Sequence, residues 1–457
     1  MIFSSLLFLF WFMPIFFLAY YITPKRFRNI VLFLGSILFY SWGEPTYLIL
    51  LFLSILVNYV AGLGMARTKD SAFLRKVCLF AAVLFDFGML FFFKYINFFI
   101  ENINQLTGSH ITAVSVTLPL GISFYTFQIV SYVIDLYRGR IREERSFINL
   151  GTYLAMFPQL IAGPIVVYSQ VAEQLKKRTY SLNKFEEGIR IFILGLGSKV
   201  LIANNVGALW NDITAIGFAN ISMPLAWLGV LAFTLQIYFD FNGYSLMAVG
   251  LGKMLGFELP QNFNYPYISR SVTEFWRRWH MTLSGWFREY VYIPLGGNRK
   301  GRARTYLNLF IVWAATGFWH GADWNFIFWG LLFFLLLSIE KLGFAAFLEK
   351  HRIFSRMYAL LAIGLSWMVF AITDLSQLGL YFRRLFSFET GMDAVYYLKN
   401  YALVLMIGCV LSTPVLKKMY DRTSHRAVGL AVSLLILIAS VAYLTDAAYN
   451  PFLYFRF

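Results

Sequence analysis

Runs of about 20 residues without a single charge constrain this chain most, because a helix of that length crosses a hydrocarbon core of roughly 30 Å. Ile2 to Ile22, Tyr47 to Met65, Val114 to Ile134 and Ile221 to Phe239 are such runs. They are too long for barrel strands, and backbone polar groups in lipid must be satisfied within the segment, so an all-α polytopic membrane protein follows. Shorter apolar runs occur at Ile30 to Trp42, Val77 to Phe93, Tyr306 to Trp319, Trp324 to Ile339, Tyr358 to Ile372, Tyr401 to Leu416 and Ala427 to Leu444. With these the expectation is about 11–12 transmembrane helices, in a single domain over residues 1–457.

The composition agrees: 59% of the residues are hydrophobic and only 14% charged, far from a soluble domain. The net charge of +16 sits in short loops between apolar runs, which fits orientation and anionic headgroups and gives no reason to expect nucleic acid as a partner. The first run has no basic residue before it and no small-residue cleavage site after it, so it is expected to be a retained span. Lys25, Arg26 and Arg28 follow it, which by the positive-inside rule puts the N-terminus outside the cytoplasm. Basic clusters at Arg67 to Lys76, Arg138 to Arg145, Lys176 to Lys184, Arg270 to Arg304, Lys350 to Arg356 and Lys417 to Arg422 are then cytoplasmic. The two cysteines, Cys78 and Cys409, can supply neither a disulfide framework nor a thiolate metal cluster.

Two segments break the alternation. Residues 150–171 lie between two basic clusters and contain Pro158 and Gly163-Pro164. They are expected to be re-entrant and to help wall an internal site, since irregular backbone at membrane depth needs cover from protein or a water-filled cavity. Residues 261–305 hold eight Lys or Arg against Glu274 and Glu289. Ser271 with Glu274 reads as a capping box, after which Phe275, Trp279, Leu283, Trp286, Phe287 and Tyr290 recur at helical spacing. One amphipathic helix on the cytoplasmic interface is predicted there, ending before Pro294 and Gly296-Gly297 and leaving Arg299 exposed.

Ionisable residues in or beside apolar runs are the candidates for chemistry. Asp86 and Lys199 are single charges in continuous spans and are expected to be structurally paired. His320, in GFWHGADWNFIFWG, can take a proton from a hydroxyl and return it, or else serve as a hydrogen-bonded packing group. Asp323 could orient that imidazole or cap the helix starting at Trp324. His280 is a second candidate, as a polar contact or a catalyst. Asp240 and Asn242, beside an expected break at Gly243, could line a channel or cap a helix. The spacing of the five histidines predicts no metal site, and no G-x-S-x-G elbow occurs.

Taken together, LPLGISFYTFQIVSYVIDLYRG (118–139), FPQLIAGPIV (157–166), IYFDFNGYS (237–245), FWRRWHMTLSGWFREYVYIPLGGNR (275–299) and GFWHGADWNFIFWG (317–330) resemble the membrane-bound O-acyltransferase superfamily, in its alginate O-acetyltransferase branch. The pattern departs at Val167 and Leu246, where that family commonly carries charge. The resemblance implies core motifs across 114–340 around a central tunnel, His320 as the essential buried histidine and His280 as the second characteristic one. Trp279, Trp319, Asp323, Asp240 and Asn242 would support the site or line the tunnel, while Arg277, Arg278, Arg288 and Arg299 would bind the donor. It further implies no permanently bound cofactor, acetyl-CoA as co-substrate, a polysaccharide acceptor, an extracytoplasmic partner of SGNH-hydrolase or acetyltransferase type, and a bacterial cytoplasmic membrane. Two other readings remain: D-alanyl or longer acyl transfer from a carrier protein, and a transporter whose charges relay protons.

Overall fold

A computed structural model describes residues 1–161, 163–423 and 426–446, and all their regular structure is helical. Two compact units form, one from residues 1–192 with 245–260, the other from 193–244 with residues 261 onward.

The first unit contains α1 (Phe8–Ile22), α2 (Arg28–Ser41), α3 (Leu48–Arg67), α4 (Ala72–Thr107) and α5 (Ile122–Tyr137). It continues with α6 (Phe147–Ala155), α7 (Phe157–Leu160) and α8 (Tyr168–Lys176). The ends of α4 follow local chemistry: the Ser71 hydroxyl accepts the Leu74 N–H, and Gly108 closes the helix with a left-handed φ of 68°. Asp86, fully buried in α4, accepts from Ser54 (2.7 Å) and Asn58 (2.8 Å) of α3, the structural pairing expected of it.

The segment expected to be re-entrant is broken at Met156 into α6 and α7 and is almost wholly buried; residue 162 lies outside the described residues. Side chains satisfy the backbone freed by the break. Ser36 accepts the Phe157 N–H (3.1 Å), and the Tyr153 hydroxyl donates to Gln128 and Val166 carbonyls at 3.0 and 2.9 Å. Phe157 is wedged among Phe12, Phe16 and Phe39 at centroid distances of 5.1–5.5 Å.

Further along, α9 (Leu182–Ile216) and α10 (Met223–Met254) are followed by α11 (Val272–Trp276), α12 (Met281–Phe287) and α13 (Arg302–His320). Then come α14 (Trp324–Lys350), kinked at Gly343, α15 (Arg352–Ala371), α16 (Leu375–Leu385), α17 (Asp393–Leu411), α18 (Val415–Thr423) and α19 (Arg426–Asp446). Eight of the described helices are long and apolar enough to cross a membrane: α3, α4, α9, α10, α14, α15, α17 and α19. The larger sequence count took in runs that form shorter helices. Val114 to Ile134 is one: Pro119 and Gly121, with φ of 76°, hold the backbone out of a helix until Ile122.

Gly243 does not break α10. The helix runs through it, and the absent side chain lets the backbone approach α9, since a Cβ there would lie 2.8 Å from the Gly195 carbonyl oxygen. Asp240 is accordingly neither a cap nor at a helix end. It is buried, 2.6 Å from Lys199, which also donates to Asn204 at 2.8 Å from a π-helical turn over Ser198–Ala203.

Removing one partner of a buried ion pair strands the other, at a cost of about 3–5 kcal/mol, whereas an apolar pair of similar volume is often neutral. Lys199→Met is therefore expected to lower the thermal stability of detergent-purified protein sharply, and Lys199→Met with Asp240→Leu to recover most of it. A double variant as unstable as the single one would contradict a purely structural pair.

Candidate active site

His320 closes α13, and only Gly321 to Asp323 separate it from α14. That tight turn is possible because the two helices touch backbone to backbone. A Cβ on Gly317 would lie 2.4 Å from the Phe326 carbonyl oxygen, and one on Gly330 would lie 2.4 Å from that of Trp313. Asn325, in the first turn of α14, donates to the carbonyls of Val369 and Phe370, each at 3.1 Å. Those carbonyls belong to the last turn of α15, which has no intrahelical donors for them. One amide thus joins the start of α14 to the end of α15.

The His320 ring is buried where the three helices meet. It stands edge-to-face with Trp329 (4.9 Å, 83°) and Phe370 (5.3 Å, 83°), and Trp319 lies 4.9 Å away on its other side. Trp367 and Phe333 pack in turn on Trp329, at 6.0 and 5.0 Å. Such contacts fix the plane of an imidazole by the complementarity of aromatic edges and faces. Asp323 occupies the N-cap position of α14, exposed, and its side chain makes no capping hydrogen bond.

The single interfacial helix expected around residues 271–290 is not what forms. The Ser271 hydroxyl does accept the Glu274 N–H (2.9 Å), but Glu274 turns to the Arg270 N–H and to Arg278 rather than back to Ser271. Regular structure stops after Trp276 and resumes at Met281, with His280 between them at φ 42°, ψ 53°, a left-handed conformation uncommon for a side-chain-bearing residue. Phe275, Trp279, Leu283, Trp286 and Phe287 are all buried in protein, so the apolar stripe feeds a core instead of a lipid surface. Trp279 stacks on Phe275 and meets Trp367 at 4.8 Å, which ties this break to the packing behind His320.

His280 is fully buried, with its ring 4.7 Å from Phe241 and 6.2 Å from Trp319. Trp319 therefore lies against both histidines. Burial lowers the basicity of His280 to a pKa of about 3, which keeps the ring neutral at physiological pH. Its Nδ1 lies 3.2 Å from Asn262 Oδ1.

The four arginines expected to bind the donor do not converge. Arg278 pairs with Glu274 at 2.9 Å, and Arg299 is exposed in the loop before α13. Arg288 borders an apolar groove of about 170 Å³ that runs between Trp276, Leu283 and Thr316. Arg277 lines a separate cavity of about 480 Å³ with Arg270 and Lys341. Glu340, at that cavity, is held by the backbone N–H groups of Val272 and Thr273 at the start of α11. Asn242 is half-buried on α10, and it is its neighbour Phe241 that reaches His280. Phe241, Asn262, Asn325, Trp329 and Phe370 were not singled out in the sequence, where each reads as core or loop. Among the described residues no three of His, Cys, Asp and Glu gather as metal ligands.

The sequence model described as MBOAT, membrane-bound O-acyltransferase family, matches residues 138–382, which include both histidines and the helices around them. The chain belongs to this family. A probable alginate O-acetylase of Pseudomonas putida is 38% identical to it, with the whole of both chains covered. A peptidoglycan O-acetyltransferase of Helicobacter pylori is 36% identical over 82% of this chain and 78% of its own. A teichoic acid D-alanyltransferase of Streptococcus thermophilus is 32% identical over 51% and 58%. This multi-pass membrane protein is thus an O-acyltransferase of the MBOAT family, similar to alginate O-acetylases throughout, and the transporter reading is set aside.

In this MBOAT protein the position of His320 depends on the Gly317–Gly330 contact. Gly330→Val is expected to force α13 and α14 apart and cut acyl transfer at least tenfold, while Gly379→Ala, where a Cβ meets nothing within 4 Å, changes neither activity nor melting temperature. Full activity in Gly330→Val would show that the close approach does not position the imidazole.

Proposed function

We propose that this MBOAT enzyme transfers an acetyl group from acetyl-CoA on the cytoplasmic side to hydroxyls of an extracytoplasmic polysaccharide. The observation that carries the proposal is a single imidazole, His320, enclosed by aromatic rings at the meeting point of three helices. Such a group can act as a base in a site sheltered from competing water. The neutral ring takes the proton as the acceptor oxygen attacks the thioester carbonyl. The C–S bond then breaks, and the proton is returned to the departing thiolate. A variant of the same chemistry has His320 take the acetyl group first and pass it to an extracytoplasmic partner of hydrolase type. The full-length similarity to probable alginate O-acetylases, together with that to a peptidoglycan O-acetyltransferase, supports a polysaccharide acceptor and acetyl as the group moved. The bacterial source of these relatives supports a bacterial cytoplasmic membrane, and Lys25, Arg26 and Arg28 after the first run support an N-terminus outside.

For the donor phosphates, the cavity lined by Arg270, Arg277 and Lys341 is the best candidate. All three cations are exposed, and none forms an ion pair among the described residues. Of the three carboxylates there, Glu274 is engaged by Arg278 and Glu340 by backbone N–H groups, which leaves Glu349 as the one set against the three cations. Guanidinium groups suit phosphate oxygens.

Two measurements test this reading. Purified protein given radiolabelled acetyl-CoA and a polysaccharide acceptor should transfer label, and His320→Ala should lower the rate about 10²–10⁴-fold with an unchanged melting temperature. A folded His320→Ala protein at wild-type rate would overturn the assignment, and a strict requirement for an acyl-carrier protein would redirect it to D-alanyl-type transfer. Arg270→Glu with Arg277→Glu should raise the donor KM at least fivefold with little change in kcat, and an unaltered KM would remove the cavity from the donor path.

A further inference from the structure

Asn262 precedes α11 and was conspicuous neither by charge nor by motif, yet it is 1% exposed and its side chain meets both His280 and Thr282. Its carbonyl oxygen Oδ1 accepts the Thr282 backbone N–H (3.2 Å) and the Thr282 hydroxyl (2.9 Å), and it faces His280 Nδ1 at 3.2 Å. Its backbone carbonyl accepts the Met281 N–H at 2.9 Å. One residue therefore braces the backbone on the far side of His280, whose left-handed φ needs such support.

The same contacts settle the direction of the imidazole hydrogen bond. A backbone N–H can only donate, so the side-chain atom of Asn262 receiving the Thr282 N–H must be oxygen rather than nitrogen. That oxygen has no hydrogen to give. Nδ1 of His280 can then hydrogen-bond to it only as Nδ1–H, which assigns the lone pair of the neutral ring to Nε2.

We propose that Asn262 is a positioning residue for acyl transfer: it holds His280 as the Nδ1–H tautomer and so presents Nε2 as a hydrogen-bond acceptor to a hydroxyl of the polysaccharide acceptor that neighbours the reacting one. This rests on the reading of His280 as part of the transfer centre. No covalent step is added; the neighbouring hydroxyl donates to Nε2, while the reacting hydroxyl directs its single hydrogen to His320 and loses its proton there. A protonated His280 would offer a donor at Nε2 and could not play this part.

Three variants, assayed in the full-length purified protein across pH 5–9, test the proposal. Asn262→Leu keeps the branched skeleton but removes the acceptor, and is expected to lower kcat about 10–100-fold with the donor KM within threefold, as loss of a partner behind a histidine does elsewhere. Asn262→Asp keeps an acceptor for Nδ1–H and Thr282 and is expected to recover most of that loss at pH 8 and above. Its carboxylate also stabilises the imidazolium, so the neutral ring, lost in the wild type only near pH 3 and below the assayed range, is lost at a higher pH, and the acid limb of the Asn262→Asp profile is expected to fall below that of the wild type between pH 7 and pH 5. A merely structural asparagine would not move that limb. Wild-type kcat in a folded Asn262→Leu protein, or an acid limb in Asn262→Asp coincident with wild type, would overturn the proposal. Should Asn262→Leu fail to fold, the Asn262→Asp profile decides alone. His280→Ala separates the two levels: wild-type transfer in that variant removes His280 from the centre, whereas a large loss there with no effect at Asn262 removes only the positioning role.

Discussion

Hydrocarbon offers no water to a broken helix, so each break in this chain must be repaired by another part of the protein. The repairs are side chains. Ser36 serves the start of α7, Glu340 the start of α11, Asn325 the end of α15 and Asn262 the turn that carries His280. In the second unit both histidines sit beside such repairs: His280 in the gap between α11 and α12, His320 at the end of α13, five residues before Asn325. Breaks are costly to build in a membrane protein, and their concentration here marks where regular helices could not have presented the same groups.

Close packing does the rest. Gly317 and Gly330 allow two helix backbones to touch, which shortens the link between α13 and α14 to three residues and leaves His320 no room to swing away from Trp329 and Phe370. Gly243 does the same for α10 and α9, where the space gained admits the Lys199–Asp240 pair. In both places the glycines are contact points, and at Gly243 the contact replaces the interruption expected from sequence.

Much of this was legible from residue patterns. Uncharged runs gave the helical membrane fold, five ordered motifs gave the family, and the isolation of His320 between apolar runs marked it before any geometry was known. What was not legible is what depends on tertiary partners. The stripe from Phe275 to Tyr290 has helical spacing, but Phe275 and Trp279 pack on Trp367 while Trp276 and His280 beside them meet Trp313 and Phe241, and these contacts from other helices override the local preference and break the helix at His280. The four arginines clustered in sequence point to four different surroundings for the same reason. Asn262 escaped notice because a neutral amide in a loop carries no sequence signal, and its role lies in which atoms it meets.

The two histidines are held by different physics, and the difference fits a division of labour. Rings from α13, α14 and α15 surround His320, and ring-on-ring contact sets the plane of an imidazole by the complementarity of aromatic edges and faces. A hydrogen bond and a strained backbone orient His280, and the hydrogen bond commits one of its nitrogens while burial keeps the ring neutral. A group that must take a proton and return it is served by the first arrangement; a group that must stay in one protonation state and accept one hydrogen bond is served by the second. With Trp319 against both rings, the proposed arrangement, in which His280 holds the acceptor by one hydroxyl and His320 deprotonates its neighbour, depends on the spacing that this tryptophan fixes between them.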